Sequence, residues 1–106
     1  MAITQSDTII RDFFVGFIRL HILYHASKEP VFGLSLIREL ERHGYRLSPG
    51  TLYPILHRME SNGFLSSEKA TINGKWRKYY RITEEGSHAL SQAHEKIREL
   101  IDELNE

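Results

Sequence analysis

Ser48-Pro49-Gly50-Thr51-Leu52-Tyr53-Pro54-Ile55-Leu56-His57-Arg58-Met59-Glu60-Ser61-Asn62-Gly63 is the stretch on which the fold turns. Ser48-Pro49 is a helix start: serine suits the N-cap, where its oxygen can accept a backbone N–H, and proline suits the first helical position. Leu52, Ile55, Leu56 and Met59 follow at i, i+3, i+4 and i+7, one apolar stripe of a helix, and Asn62-Gly63 closes it. The opposite face carries Gly50, Pro54, His57 and Ser61, flanked by Thr51, Tyr53 and Arg58. Pro54 is anomalous, because a helix-interior proline deletes one backbone bond and costs on the order of 3 kcal/mol in an unadapted helix. Either something offsets that cost, or the helix begins as a tight or kinked turn.

Toward the N-terminus, Leu34, Ile37 and Leu40 recur at helical spacing and stop at His43-Gly44, where glycine can take the left-handed closing conformation. Only Tyr45-Arg46-Leu47 separates this short helix from the one starting at Ser48, so the pair reads as a helix-turn-helix. Upstream, Ile9 to Ala26 reads as a first helix: Ile10, Phe13, Phe14, Phe17, Leu20 and Tyr24 form one face, and Ile18, Ile22 and Leu23 another. A helix apolar on two sides must be covered twice, and in so short a chain a second subunit is the expected cover at Phe13 and Phe17. Residues 1–8 lack apolar periodicity and read as a flexible arm.

Toward the C-terminus, Phe64 to Ile72 and Lys75 to Thr83 flank Asn73-Gly74, a type I′ hairpin signal. That turn sets the register: Ile72 faces Lys75, Lys69 faces Lys78 and Leu65 faces Ile82. Leu65, Trp76, Tyr80 and Ile82 then point inward with Lys78 between them, and Arg77, Tyr79 and Arg81 point the other way. Thr83-Glu84-Glu85 caps a last helix running to about Leu104. Leu90, Ala93, Ile97, Leu100 and Leu104 form its heptad seam, widened by Ile101. The expected fold is therefore mainly α with a small β-hairpin wing: a winged helix-turn-helix over residues 9–83 and a dimerisation helix over 84–106.

The chain has 106 residues and a net charge of zero, but the zero conceals two opposite parts. Residues 1–83 carry twelve Lys/Arg against seven Asp/Glu, a net +5, and residues 84–106 carry two against seven, a net −5. A basic body points to a polyanionic partner. Absence of cysteine excludes disulfides, thiolate metal sites and a cysteine nucleophile. No leader pattern or long apolar run stands out, and a soluble, cytoplasmic protein is expected.

The hairpin cations are the most pointed chemical signal. Lys69, Lys75, Arg77, Lys78 and Arg81 cluster with no acid between Lys69 and Thr83. Placing Lys69 opposite Lys78 costs a few tenths of a kcal/mol, which a neighbouring phosphate would relieve. A basic edge that deters strand aggregation is the plain alternative. Gly50 and Pro54 present a small, flat surface suited to close approach to a DNA groove, or they merely shape the helix entrance. Tyr53 can donate to a phosphate or simply pack. His21 and His25 lie four apart on one helical face, a spacing that suits two metal-binding nitrogens, with carboxylates or His88 and His94 as partners across a dimer. A packed or solvent-facing pair is the ordinary reading, and no metal or other cofactor is required. No Ser/His/Asp set, paired-acid motif or glycine-rich phosphate loop argues for an enzyme. A protein-binding module using Trp76 and the basic strand is the competing class.

His21-Ile22-Leu23, Gly44-Tyr45-Arg46-Leu47-Ser48-Pro49-Gly50-Thr51-Leu52-Tyr53-Pro54, and Asn73-Gly74 with Arg77-Lys78-Tyr79-Tyr80-Arg81-Ile82-Thr83-Glu84-Glu85-Gly86 together resemble the PadR family of transcriptional regulators, over roughly residues 10–104. The resemblance is to the short members, with a single C-terminal helix. It implies a homodimer joined through the first and last helices, most often a ligand-released repressor on a pseudo-palindromic operator. By matching position, Ser48, Thr51, Tyr53, Pro54, His57 and Arg58 would form the recognition element, and Lys75, Arg77 and Lys78 the wing contacts. Some short members are similar to sensors that stack flat drugs on an aromatic of the last helix. Here that helix has none, and the one tryptophan, Trp76, falls on the wing. Phe13, Phe14 and Phe17 could line a central pocket, though a core role is expected for most of them.

Overall fold

The computed structural model describes residues 5–106, with side chains from Thr8 onward. In chain order the elements are α1 (Gln5–Lys28), α2 (Gly33–Arg42), α3 (Pro49–Ser61), β1 (Leu65–Ile72), β2 (Lys75–Ile82) and α4 (Glu84–Leu104). Helix α1 starts at Gln5, earlier than the expected Ile9, so residues 5–8 of the anticipated arm are helical, and residues 1–4 lie outside the described residues. Strands β1 and β2 pair antiparallel with the register set by the turn: Ile72 opposite Lys75, Lys69 opposite Lys78, Leu65 opposite Ile82. Asn73 and Gly74 take φ of 54° and 76°, the left-handed pair that a type I′ turn demands.

The core forms where α1, α2, α3 and the base of the hairpin converge. Ile18, Ile22, Leu23 and Ala26 of α1 meet Leu36 and Leu40 of α2, Leu52, Leu56 and Met59 of α3, and Leu65 and Tyr80 of the hairpin. Apart from the tyrosines Tyr79 and Tyr80, no polar or charged side chain is buried among the described residues. The stripe of α3 is as expected, with Ile55 half-buried at its edge. That of α2 is rotated: Leu36 is fully buried and Leu34 is 45% exposed, so the inward positions are Leu36, Ile37 and Leu40. The face of α1 turned to the core is Ile18, Ile22 and Leu23. Phe13 and Phe14 are exposed, which corrects their expected core role; Phe13 stacks on Phe17, and Phe14 meets Tyr45 edge-on.

One long-range pairing anchors the hairpin. Val31, in the α1–α2 link, exchanges two backbone hydrogen bonds with Tyr80, N to O at 2.9 Å and O to N at 2.7 Å. This isolated one-residue bridge pins the base of β2 to the link that leads into α2. The face expected to point outward is also partly covered. Tyr79 is buried and meets Phe32 edge-on, because the link before α2 crosses that side of the hairpin.

Helix α4 is joined to the body at its first turn. The Thr83 hydroxyl donates to the Gly63 carbonyl at 2.5 Å and accepts from the Gly86 N–H at 3.0 Å, so a single side chain caps α4 and closes the α3–β1 turn. Loss of an N-cap costs about 1 kcal/mol, and a second bond is lost here as well. Thr83→Ala is therefore expected to destabilise the protein by about 1–2 kcal/mol, read as a lower urea midpoint at unchanged m-value.

Candidate nucleic-acid interface

Helix α3 runs as one continuous helix from Pro49 to Ser61 with Pro54 inside it, so the proline is accommodated and the helix does not begin as a separate turn. Position 54 supplies no N–H to the Gly50 carbonyl, and both residues are exposed, which leaves that part of the helix open to an external donor. Ser48 occupies the N-cap with extended backbone, but its side chain does not cap the helix as anticipated; it lies 3.2 Å from the Thr51 hydroxyl. The two hydroxyls thus bond each other at the exposed helix start. Thr51, His57 and Arg58 are exposed, and Tyr53 is half-exposed with its hydroxyl tucked over Gly33 at the start of α2. Only glycine leaves room there, so α2 sets the angle at which the Tyr53 ring stands. All six recognition residues nominated by the sequence, Ser48, Thr51, Tyr53, Pro54, His57 and Arg58, lie on this one exposed surface.

The wing cations are held more tightly than a solvated hairpin requires. The Arg77 guanidinium lies 4.1 Å above the Phe32 ring, and Lys69 lies 5.2 Å from the centre of Trp76. Arg81 pairs with Glu68 at 3.6 Å. Lys78 reaches back to Glu60 in the last turn of α3, at 3.5 Å, and that carboxylate also accepts from the Ser67 hydroxyl. Burial works against the Lys78 ammonium, but the Tyr80 phenol and the Glu60 carboxylate outweigh it, so its pKa rises above the ordinary lysine value. The Lys69–Lys78 repulsion is thus already relieved within the chain, which revises the expectation that a phosphate is needed for it. Among the described residues, Lys75 at the tip enters no ion pair or cation–π contact and is exposed. The Lys78–Glu60 pair and the Arg77–Phe32 stack tie the wing to α3 and to the N-cap of α2.

A second grouping lies where α1 meets the end of α2. His21 and His25 are half-buried with nearly parallel rings, 15° apart at 6.3 Å. His43, the C-cap of α2, joins them with ring centres 4.5 Å from His21 and 6.2 Å from His25. Burial first, then the neighbouring His43 and His25, lower the His21 pKa, so this imidazole resists protonation. His43 was not among the partners expected for the pair, because no spacing along the chain connects position 43 to positions 21 and 25. Of the two that were named, His94 lines the groove between α1 and α4 beside these rings, and His88 lines a separate depression with Phe64 and Glu84.

That groove has a volume of 290 Å³ and is lined by Phe17, Leu20, His21, Tyr24, Leu90, Ala93 and Ile97, among others. Leu90 and Ala93, assigned by the heptad to an intersubunit seam, are thus half-buried against α1 of their own chain. Farther along, Ile97, Leu100, Ile101 and Leu104 are exposed, and so are Ile9, Ile10 and Phe13 on α1. Among the described residues, no helix is long and apolar enough to cross a membrane.

Comparison with known proteins agrees with this architecture. The chain is 47% identical over 95 residues to the transcriptional regulator Rv3488 of Mycobacterium tuberculosis, covering 90% of this chain and 89% of that one. A PadR-like transcriptional regulator from Bacillus cereus superposes with a TM-score of 0.81 at 30% identity, covering 89% of this chain and 93% of the other. A PadR-like transcription factor from Bacteroides fragilis gives 0.79 at 29% identity, covering 93% and 97%. The model of the transcriptional regulator PadR-like family matches residues 22–92. With the helix-turn-helix, the wing and the start of α4 all inside that match, the chain belongs to the PadR-like family of transcriptional regulators, a family of regulators and not of enzymes.

Proposed function

We propose that the protein is a homodimeric repressor that binds duplex DNA at a pseudo-palindromic operator and is released by a ligand. The observation that carries this reading is the union of two surfaces. The exposed, hydrogen-bonding start of α3 and the cationic hairpin are joined by the Lys78–Glu60 pair and by Arg77 on Phe32. A helix that enters the major groove with its N-terminal end needs such a surface, and a wing beside it supplies phosphate affinity. Ser48, Thr51, Tyr53, Pro54, His57 and Arg58 are assigned to base and groove contacts, and Lys75, Arg77 and Lys78 to the backbone. The exposed apolar residues of α1 and α4 supply the reason for pairing. The test is retention and sequencing of genomic fragments on the purified protein. Recovery of inverted half-sites about 10 base pairs, or a multiple, apart supports the reading. Retention without sequence preference would leave a protein-binding module as the better account.

The wing makes a quantitative expectation. Lys75→Ala and Arg77→Ala are each expected to weaken all DNA sequences alike and to reduce the log–log salt slope by about one. Because Glu60 already neutralises part of the Lys78 charge, Lys78→Ala is expected to change that slope by less than Lys75→Ala does. Fluorescence anisotropy over a salt series measures all three; equal slopes in wild type and the Lys75→Ala/Arg77→Ala double variant would remove the wing from the interface.

A further inference from the structure

We propose that His21, His25 and His43 form a binding site for one divalent transition-metal ion of the zinc class, and that the ion adjusts the angle between α1 and the helix-turn-helix. The ligand nitrogens of the three imidazoles all lie within 4.8 Å of one another. Around a tetrahedral ion with bonds of about 2.0–2.1 Å, such nitrogens stand roughly 3.3 Å apart. Closing the difference needs small side-chain rotations, and His43, exposed at the end of α2, is free to make them.

A stacked packing role alone leaves one feature without an explanation. The Nε2 atom of His25 is buried and has no hydrogen-bond partner among the described residues. Its neighbour Glu39 stands at 3.8 Å, too far for a hydrogen bond, and the other oxygen of that carboxylate is held by Arg42 at 3.0 Å. A buried polar nitrogen facing a carboxylate across a gap is the arrangement an ion would complete, with three imidazoles as ligands and Glu39 beside the fourth position. Imidazole nitrogens favour zinc, nickel, copper and iron over magnesium or calcium.

The placement gives such an ion leverage. Two ligands ride on α1, whose exposed Phe13 and Ile10 are assigned above to the subunit contact, and the third stands at the end of α2, just before the turn into α3. A bound ion cross-links these elements and so sets how the two recognition helices of a dimer are spaced. This effector role rests on the DNA-binding reading; the metal site itself does not.

The experiment titrates chelator-stripped protein with Co2+ and reads the visible d–d bands of tetrahedral coordination. One ion per chain is expected, with affinity unchanged in His88→Gln and weakened in His43→Gln at least roughly tenfold, since even an outer-shell partner's loss costs about that much. No bands, or equal affinity in wild type and His43→Gln, would overturn the site. His43 is exposed and its replacement leaves the core untouched, so circular dichroism is expected to report the same fold. Retained genomic fragments are then bound with Zn2+ and with chelator: a change in affinity for wild type but not for His43→Gln supports the effector role, and no change in wild type overturns that role. If no DNA is bound in either condition, the DNA-binding reading fails while the Co2+ titration still decides the site.

Discussion

The Leu100→Glu/Ile101→Glu double variant is expected to be a well-folded monomer with operator affinity at least about 100-fold below wild type. Leu100 and Ile101 are 57% and 49% exposed and support nothing in the core of their own chain. Helix α4 has 21 residues and, at about 1.5 Å each, extends well past the body to which only its first half is fastened. Burying a leucine or isoleucine contributes about 1.5–3 kcal/mol. Two such residues from each of two chains, replaced by four carboxylates on one seam, remove on the order of 5 kcal/mol or more, over a thousandfold in dimer dissociation. A palindrome read by one half-site at a time loses the effective concentration that links the halves. Sedimentation equilibrium reads the assembly, and anisotropy with a retained fragment reads the affinity. A double variant that still sediments as a dimer would move the interface off α4.

Gly86→Ala is expected to be the most damaging single-methyl addition in the chain, about 2–3 kcal/mol, with a fall in Tm of about 10 °C or more. Gly86 is the buried residue of α4, in its first turn, where the helix presses on the backbone carbonyl of Phe64. A methyl there would overlap that oxygen and come within 2.8 Å of the Ile82 side chain. The oxygen belongs to the chain segment that also carries Leu65 into the core, so it cannot yield without moving the hairpin. Ser87→Ala, one residue along and exposed, is expected to stay within about 0.5 kcal/mol of wild type. Urea unfolding of the two variants side by side isolates the close approach from helix propensity. Equal stabilities would mean that α4 can lift off Phe64 without penalty.

Where expectation and structure part, the contacts responsible are long-range. Spacing alone turns the α2 stripe toward Leu34, because two spacings of three or four fit the same ten residues; burial of Leu36 in the core decides between them. Strand alternation alone puts Tyr79 outward, which holds only for a hairpin open on one side. Here Phe32 crosses that side and takes both Tyr79 and Arg77. The turn alone sets Lys69 opposite Lys78, yet the relief of that like-charge pair by Glu60 comes from another element.

By itself the sequence determined whatever depends on neighbours along the chain: the helix start at Ser48-Pro49, the hairpin register set by Asn73-Gly74, the cap at Thr83, and the helix-turn-helix that follows from a three-residue link. Those features rest on local sterics and hydrogen bonds within a few residues, so their causes lie within a short reach of sequence. The tertiary structure alone decided that Val31 bridges to Tyr80 at the base of the wing, that Glu60 holds Lys78, and that His43 stands beside His21 and His25. Each of those contacts depends on the angles at which whole elements pack, and no spacing along the chain encodes an angle.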